Sequence, residues 1–208
     1  MTKTFELNIV NGVGTIKKDD IKIIDLKTDK IIETHLIIER DSNKSIIDTL
    51  ILHMSVKLYD EITFYNDEAK ICFTGNVRTY WPRKDGKMLL VVYCKTCNVI
   101  DEISKNVVND YCSVEIIGTI CKDPIFRYTP LNKKILDLFV ANNYAYKKSA
   151  YIPTLLWDKL AYTMKDELAF TDKVYLKGKL QSRVYLKKSE QKAYSVIEFS
   201  VDECDKLS

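Results

Sequence analysis

The fold of this 208-residue chain is decided by three segments in its second half. They read GTICKDPIFRYTP over residues 118–130, YIPTLLWDKLA over residues 151–161 and GKLQSRVY over residues 178–185. The first runs from an alternating, β-branched stretch into a turn marked by Asp123-Pro124. The second is a strand that runs into a helix, and the third is a basic, aromatic strand. This order of elements is typical of a binding surface and contains no recognisable set of catalytic residues.

The second half is predicted to contain five strands and one helix. The strands cover residues 112–121, 134–143, 151–157, 173–185 and 193–201, with a polar hairpin loop over residues 187–192. Asp158 is expected to cap a helix whose apolar stripe consists of Leu160, Ala161, Met164 and Leu168. Five strands with a helix between the third and the fourth are the layout of the OB fold, a small Greek-key barrel.

The chain repeats this pattern once. GTIKKD at residues 14–19 recurs as GTICKD at 118–123, and KICFTGNV at 70–77 parallels KVYLKGKL at 173–180. Lys57-Leu58 matches Lys159-Leu160 between them. We therefore predict an all-β protein of two tandem OB-fold, five-stranded Greek-key barrels with one short helix each. The N-terminal domain covers residues 1–102 and the C-terminal domain residues 108–208, with the boundary in the polar segment 101–106.

The first copy is less regular than the second. An extra polar-apolar stretch, residues 20–30, follows its first strand. The remaining strands are predicted at residues 31–40, 46–53, 70–80 and 88–97, with an Asp-Gly hairpin turn at Asp85-Gly86.

Composition indicates a chain that folds and buries a core. The chain is 46% hydrophobic and 29% charged, and its net charge of +3 does not by itself indicate a polyanionic partner. Any nucleic-acid surface would therefore have to be a local concentration of Lys and Arg. No apolar run approaches the roughly 20 residues that span a bilayer, and the N-terminus lacks a secretory signal. We expect a cytoplasmic protein.

The six cysteines are expected to be reduced and partly buried. Cys94 and Cys97 have metal-type spacing, but there is no second such pair and the only histidines are His35 and His53. We therefore expect no metal, no cofactor and no catalytic residue, and lone carboxylates such as Asp123 are interpreted as turn residues. The protein is predicted not to be an enzyme.

The motifs of the second half resemble those of the bacterial single-stranded DNA-binding proteins, in their tandem OB-fold form. The resemblance covers most of residues 112–203 and only short pieces of the first half. It implies sequence-tolerant binding of single-stranded DNA, by bases stacked on aromatic rings and phosphates held by basic side chains, in replication, recombination or repair.

The resemblance places four stacking residues at Tyr146, Tyr151, Trp157 and Tyr185. Any one of them alone is more often part of a core than a binding platform, but their joint occurrence at family positions favours binding. The surrounding basic residues are expected to hold phosphates: Arg127, Lys133, Lys147, Lys177, Lys179, Arg183 and Lys187. Of these, Lys177, Lys179 and Arg183 share strand parity and are expected on one face.

The first domain is expected to bind weakly or to serve in assembly. In an alignment through Gly14 and Gly118, Trp157 falls opposite His53, and Tyr146 and Tyr151 fall near Asn43 and Ile47. Its weaker surface would consist of Arg78, Tyr80, Trp81, Arg83 and Lys87.

The family resemblance also implies a homodimer, which would hold four OB folds. The chain ends without the acidic, aromatic-capped tip by which many members recruit repair enzymes, so such recruitment is not expected here. DNA is not distinguished from RNA by any residue pattern. Two alternatives stay open: an accessory OB protein of the primosome type, with weak DNA binding, and a scaffold that contacts only other proteins.

Overall fold

The computed structural model describes residues 6–25, 30–40, 46–63, 68–81, 88–101, 103–145, 147–187 and 192–207. The first half of this described chain contains β1 (Asn8–Asp25), β2 (Lys30–Glu39), β3 (Ile47–Ser55), α1 (Val56–Thr63), β4 (Glu68–Tyr80) and β5 (Leu89–Val99). The second half contains β6 (Tyr111–Ile120), β7 (Ile125–Tyr128), β8 (Lys134–Ala145), β9 (Lys148–Trp157), α2 (Asp158–Met164), β10 (Lys173–Lys187) and β11 (Lys192–Leu207).

Each half closes into a barrel, which confirms the predicted fold. In the first half the hydrogen-bonded order is β2-β3-β5-β4-β1, and β1 pairs again with β2 to close the cylinder. In the second half the order is β6-β10-β11-β9-β8, closed by pairing of β6 with β8. In both barrels the fifth strand runs parallel to the third, as β5 does to β3 and β11 to β9. The interior is filled by apolar side chains, with Phe73 and Phe199 almost fully buried.

The glycines of the repeated motifs stand where strands approach each other closely. A Cβ on Gly14 would lie 2.7 Å from the carbonyl oxygen of Ile37, and a Cβ on Gly118 would lie 2.7 Å from that of Ala141. Both glycines therefore permit the first strand to cross the second, which closes the barrel. The later repeated glycines, Gly75 and Gly178, coincide with the register shifts of β4 with β5 and of β10 with β11. The repeated sequence motifs therefore mark the positions where strands of each barrel cross closely or shift register.

Several element bounds differ from the sequence prediction. The extra stretch after the first strand continues β1 to Asp25, and its residues Ile21 to Asp25 pair with β2. In the second half the corresponding pairing is made by a separate short strand, β7, because Asp123-Pro124 interrupts the chain. The sequence predicts turns at Asp123-Pro124 and at residues 129–132, and the strand between them was not predicted. The fifth strand of the second barrel continues to Leu207 instead of ending at residue 201. Residues 188–191, the centre of the predicted hairpin loop, lie outside the described residues.

The prediction that Asp158 caps α2 is wrong. The N-cap residue is Trp157, no side-chain capping bond is made, and Asp158 is the first helical residue with φ of 45°. The predicted apolar stripe also extends beyond the helix, since α2 ends at Met164. Leu168 is still buried, because a following turn holds it through a bond from its N–H to the Met164 carbonyl, 3.1 Å long.

The two barrels join through their first strands. β1 pairs antiparallel with β6 from Asn8 opposite Ile116 to Val13 opposite Tyr111, which makes one eleven-stranded sheet in the described chain. Because the two paired strands are equivalent in the repeat, the barrels are related by an approximate two-fold axis. β5 ends at Val99 and β6 begins at Tyr111, so the connection contains the predicted boundary segment. The domain limits 1–102 and 108–208 stay a prediction.

A buried amide network ties the barrels together beside this ladder. Asn8 donates through Nδ2 to the carbonyl of Val77 (2.9 Å) and to Oδ1 of Asn142 (2.8 Å). Asn142 donates in turn to the carbonyls of Leu7 (2.8 Å) and Ile117 (2.7 Å). Asn142 is fully buried, so these bonds satisfy groups that water does not reach.

The described part of the chain offers no membrane-spanning helix. Its two α-helices have eight and seven residues, too few to cross a bilayer.

Candidate nucleic-acid interface

The outer face of β9 carries the aromatic residues that the sequence singled out. Burial alternates along this strand: Ile152, Thr154 and Leu156 point into the barrel, while Tyr151 and Trp157 lie on the opposite face. Tyr151 is 41% exposed and Trp157 is half-buried. The two predicted stacking residues therefore share one face of one strand, six residues apart.

A neighbouring aromatic ring extends this surface onto β8. Phe139 stacks on Tyr151 with ring centroids 6.2 Å apart and planes inclined by 19°. The Lys122 ammonium group lies 4.5 Å from the centroid of the Phe139 ring. Together they form a cation–aromatic–aromatic stack, the arrangement that suits a base followed by a phosphate. Sequence analysis missed Phe139, although its position between buried Leu138 and Val140 is the alternation that marks an outward residue.

At the other end of β9, Arg183 covers Trp157. The guanidinium carbon of Arg183 lies 4.4 Å from the centroid of the Trp157 ring, and its Nε forms an ion pair with Glu198. The indole Nε1 of Trp157 is buried, and no described residue accepts a hydrogen bond from it. Arg183 was predicted to hold a phosphate. The structure brings it to the predicted ring and also beside a carboxylate that offsets its charge.

Arg127, like Arg183, is paired with a carboxylate of a neighbouring strand. It projects from β7, where its Nη2 donates to Oδ1 of Asp137 over 3.0 Å and its Nε contacts Oδ2 of the same carboxylate. Two parallel bonds orient a guanidinium well but also neutralise it locally. The two arginines of this surface are therefore held in fixed positions with reduced net charge.

The predicted phosphate-binding lysines fall into different settings. Lys177 pairs with Glu203 at 2.9 Å, and this hydrogen bond raises the pKa of Lys177. Lys133 and Lys179 are exposed, and no described carboxylate pairs with either. Lys179 lines a cleft of about 360 Å³ between the two barrels. Lys147 lies in the turn between β8 and β9 with φ of 54°.

Several predicted residues fall outside the description. Tyr146, Arg83 and Lys87 lie outside the described residues. Tyr185 and Lys187 belong to β10, where Tyr185 pairs with Tyr194, but their side chains lie outside the described part of the chain. The assignment of all five to binding stays a prediction.

The first barrel uses its predicted surface residues differently. The guanidinium carbon of Arg78 lies 3.6 Å from the Tyr93 ring centroid and 5.0 Å from that of Tyr144, so Arg78 bridges the two barrels. Tyr80 packs edge-on against His53 with centroids 5.4 Å apart. Trp81 is 50% exposed. These three predicted residues do not form one platform, since only Trp81 presents an open aromatic surface.

The strand-to-helix junction corrects the alignment of the two copies. β3 ends at Ser55 and β9 ends at Trp157, each immediately before a helix. Counted from these junctions, the counterpart of Trp157 is Ser55 and not His53, and the counterpart of Tyr151 is Thr49 and not Ile47. Neither counterpart is aromatic, so the predicted difference between the two surfaces persists with other residues. His53 instead bonds to Glu33 at 2.8 Å, which lowers the pKa of Glu33.

The cysteines and the other metal-binding residue types of the described chain form no cluster with the spacing of a metal centre. No group of three or more His, Cys, Asp or Glu side chains that could hold an ion occurs among the described residues. Cys94 donates from Sγ to the Thr96 carbonyl at 3.3 Å. Burial raises the pKa of Cys112 and of Cys204 to about 12, so both thiols stay protonated at neutral pH and are poor nucleophiles.

The second half of the chain matches known proteins in sequence. Residues 111–206 match the model of the single-strand binding protein family. The chain is 34% identical over 90 residues to the single-stranded DNA-binding protein of Deinococcus radiodurans, covering 39% of this chain and 30% of that one. It is 32% identical over 82 residues to single-stranded DNA-binding protein 2 of Chlorobaculum tepidum, covering 35% of this chain and 55% of that one.

Residues 111–206 are thus similar to the single-strand binding protein family, in the half of the chain where the sequence resemblance was found. The expectation that the protein is not an enzyme agrees with this similarity. The matched segment spans between 30% and 55% of the length of these curated relatives.

The whole chain also matches solved structures in fold. The wild-type single-stranded DNA-binding protein of Thermus aquaticus superposes with a TM-score of 0.75 at 16% identity, covering 99% of this chain and 95% of that one. A deletion mutant of the same protein gives a TM-score of 0.76, covering 98% of this chain and 96% of that one. This likeness confirms that both halves of the chain share the tandem OB fold.

Proposed function

We propose that this protein binds single-stranded DNA without strong sequence preference, through the outer face of its second barrel. The observation that carries the proposal is the aromatic surface of β8 and β9, made of Phe139, Tyr151 and Trp157, within the family-matched residues. Every base has a π face, so such a platform accepts any sequence. Processes that expose single strands, namely replication, recombination and repair in the cytoplasm, would supply the ligand.

The electrostatic contribution to this binding is expected to be modest. Arg127 and Arg183, the arginines of the surface, are each paired with a carboxylate, and Lys177 is paired with Glu203. Stacking is worth about 1–3 kcal/mol per base, so a few stacked bases supply several kcal/mol without further charge. We infer that stacking dominates and that salt weakens binding less than it does for a strongly basic protein.

Titration with oligo-dT under tryptophan fluorescence tests the proposal. The chain has two tryptophans, Trp81 and Trp157, so a Trp81→Phe variant reports on Trp157 alone and a Trp157→Phe variant on Trp81 alone. We expect strong quenching in the first variant and weak quenching in the second. The logarithm of affinity should fall with the logarithm of salt concentration with a slope of about −2, as for about three neutralised phosphates.

The result also separates the remaining alternatives. Absence of quenching and of any mobility change at low salt would overturn the proposal and favour a scaffold that contacts only proteins. Binding that requires millimolar DNA would favour an accessory role. Equal affinity for oligo-U would extend the ligand class to RNA, because a stacking platform does not by itself sense the 2′-hydroxyl.

We also propose that two chains associate into a homodimer with four OB folds. The support is the tandem form of the fold, in which the two barrels of one chain already pair about an approximate two-fold axis. Light scattering is expected to give twice the chain mass of 24.1 kDa. A mass of one chain at micromolar concentration would show that the binding unit has only two barrels.

A further inference from the structure

The first barrel contacts the strand that carries the second barrel's basic residues. At the interface, Asp48 of β3 accepts a hydrogen bond through Oδ1 from the backbone N–H of Ser182 on β10, over 2.7 Å. In return, the Ser182 hydroxyl oxygen accepts a bond from the backbone N–H of Thr49, over 2.9 Å. Two reciprocal bonds therefore fix one point of β10 to the neighbouring barrel.

Asp48 is itself held in one orientation. Its side chain is 5% exposed and accepts two bonds from Arg40, from Nε to Oδ2 and from Nη2 to Oδ1, each 2.7 Å long. Fork-shaped pairing of this kind defines both the position and the plane of the carboxylate. The hydrogen bond to Asp48 raises the pKa of Arg40, so the guanidinium stays charged. Ser182 is thus bonded to a rigid acceptor.

The anchored point lies next to the candidate binding residues. Ser182 directly precedes Arg183, whose guanidinium covers Trp157 at 4.4 Å. β10 then continues through Tyr185 to Lys187, two further predicted binding residues. Because successive residues of a strand share one rigid backbone, a shift of Ser182 would move Arg183 relative to the Trp157 ring.

The equivalent bonds from the second barrel to the first are not formed in the same way. Counted from the strand-to-helix junctions, the counterpart of Asp48 is Ala150, which has no side-chain acceptor. On that side of the two-fold axis, the N–H of Tyr151 donates to Oγ1 of Thr79 over a longer 3.4 Å. The first barrel therefore holds the binding strand of the second, and the second does not hold the first in the same way.

We propose that Asp48 is a positioning residue for the DNA-binding surface of the second barrel. The first barrel, which lacks aromatic counterparts of Tyr151 and Trp157, contributes to binding by fixing β10 so that Arg183 lies over Trp157. This inference rests on the proposed function, since it assigns Asp48 a part in binding single-stranded DNA.

Three variants at this pair test the inference. Asp48→Ala removes the acceptor and is expected to lower oligo-dT affinity by about fivefold. The double variant Arg40→Met with Asp48→Leu removes the acceptor without leaving an unpaired buried charge, and serves if the single variant does not fold. Asp48→Asn keeps an oxygen that accepts from Ser182 and is expected to keep affinity within about twofold, although it loses charge pairing with Arg40.

Glu33→Ala is the matched control. Glu33 is also a largely buried carboxylate of the first barrel, bonded to His53 at 2.8 Å and to Lys22 at 3.3 Å. Both partners belong to the first barrel, so this substitution should lower the free energy of unfolding without changing oligo-dT affinity. Equal affinity losses for Glu33→Ala and Asp48→Ala would overturn the inference, because the effect would then be general destabilisation.

Hydrogen exchange separates this inference from the proposed function. In Asp48→Ala the Ser182 amide is expected to exchange about tenfold faster or more, and in Glu33→Ala at the wild-type rate. If the wild-type protein does not bind oligo-dT, the proposed function fails, while the exchange rate still shows whether Asp48 anchors β10. Unchanged exchange and unchanged affinity in Asp48→Ala, with wild-type binding intact, would overturn the anchor alone.

Discussion

Replacing Trp157 by alanine is expected to weaken oligo-dT binding between about fivefold and a hundredfold. The range follows from the loss of one stacked base, which is worth about 1–3 kcal/mol, with each 1.4 kcal/mol equal to about a factor of ten. The indole ring is half-buried beneath Arg183, so its removal also leaves that guanidinium without its aromatic support. Fluorescence anisotropy of a labelled oligonucleotide measures the effect without relying on the missing tryptophan.

Trp81→Ala is the natural control for this experiment. Trp81 is the other tryptophan of the chain, is 50% exposed, and follows β4 of the first barrel. We expect it to change affinity less than about twofold, while Trp157→Phe, which keeps a π face, should stay within about threefold of the wild type. Equal losses in Trp81→Ala and Trp157→Ala would contradict the assignment of the main surface to the second barrel.

Substitution of Asn142 by alanine is expected to lower the free energy of unfolding by about 3 kcal/mol or more. Asn142 satisfies the carbonyls of Leu7 and Ile117 and the amide of Asn8, all at the junction of the barrels. Its removal leaves these buried groups without their partner, and each unsatisfied group costs about 1–3 kcal/mol. Urea unfolding followed by circular dichroism measures the loss.

Asn143→Ala provides the comparison for this variant. Asn143 is the next residue of β8, is exposed, and its side chain accepts a bond from the Ser149 hydroxyl at 2.6 Å. An exposed bond of this kind contributes about 1 kcal/mol or less, because water replaces it on unfolding. A similar loss of stability for the two variants would show that the buried network does not hold the barrels together.

The sequence repeat made most of the fold predictable. Gly14, Gly118, Gly75 and Gly178 stand at barrel corners where a side chain would collide with a neighbouring strand, so the chain had to repeat them wherever it repeated the barrel. The role of Asp158 was not predictable in the same way. An aspartate before an apolar stripe is typical of a helix cap, but here Asp158 is itself the first residue of the helix and has a left-handed φ.

The placement of Tyr151 and Trp157 on one strand face could be predicted from the sequence, but the charged partners around them could not. Tyr151 and Trp157 are six residues apart on one strand. Because side chains alternate between the two faces of a strand, an even spacing places both on the same face. The partners of Arg127 and Arg183, Asp137 and Glu198, come from other strands. Pairing across strands depends on register, which a local pattern does not specify, so the neutralised arginines became visible only in the folded chain.

The ladder between β1 and β6 has a consequence for how the protein responds to dilution. Both strands belong to one polypeptide, so their pairing is an intramolecular reaction whose effective concentration is set by the connection between the barrels. Barrels encoded on separate chains would have to meet in solution to form the same contact, and would part as the protein became scarce. Here the two-barrel unit is preserved at any abundance, including the low copy numbers at which an independent subunit would dissociate.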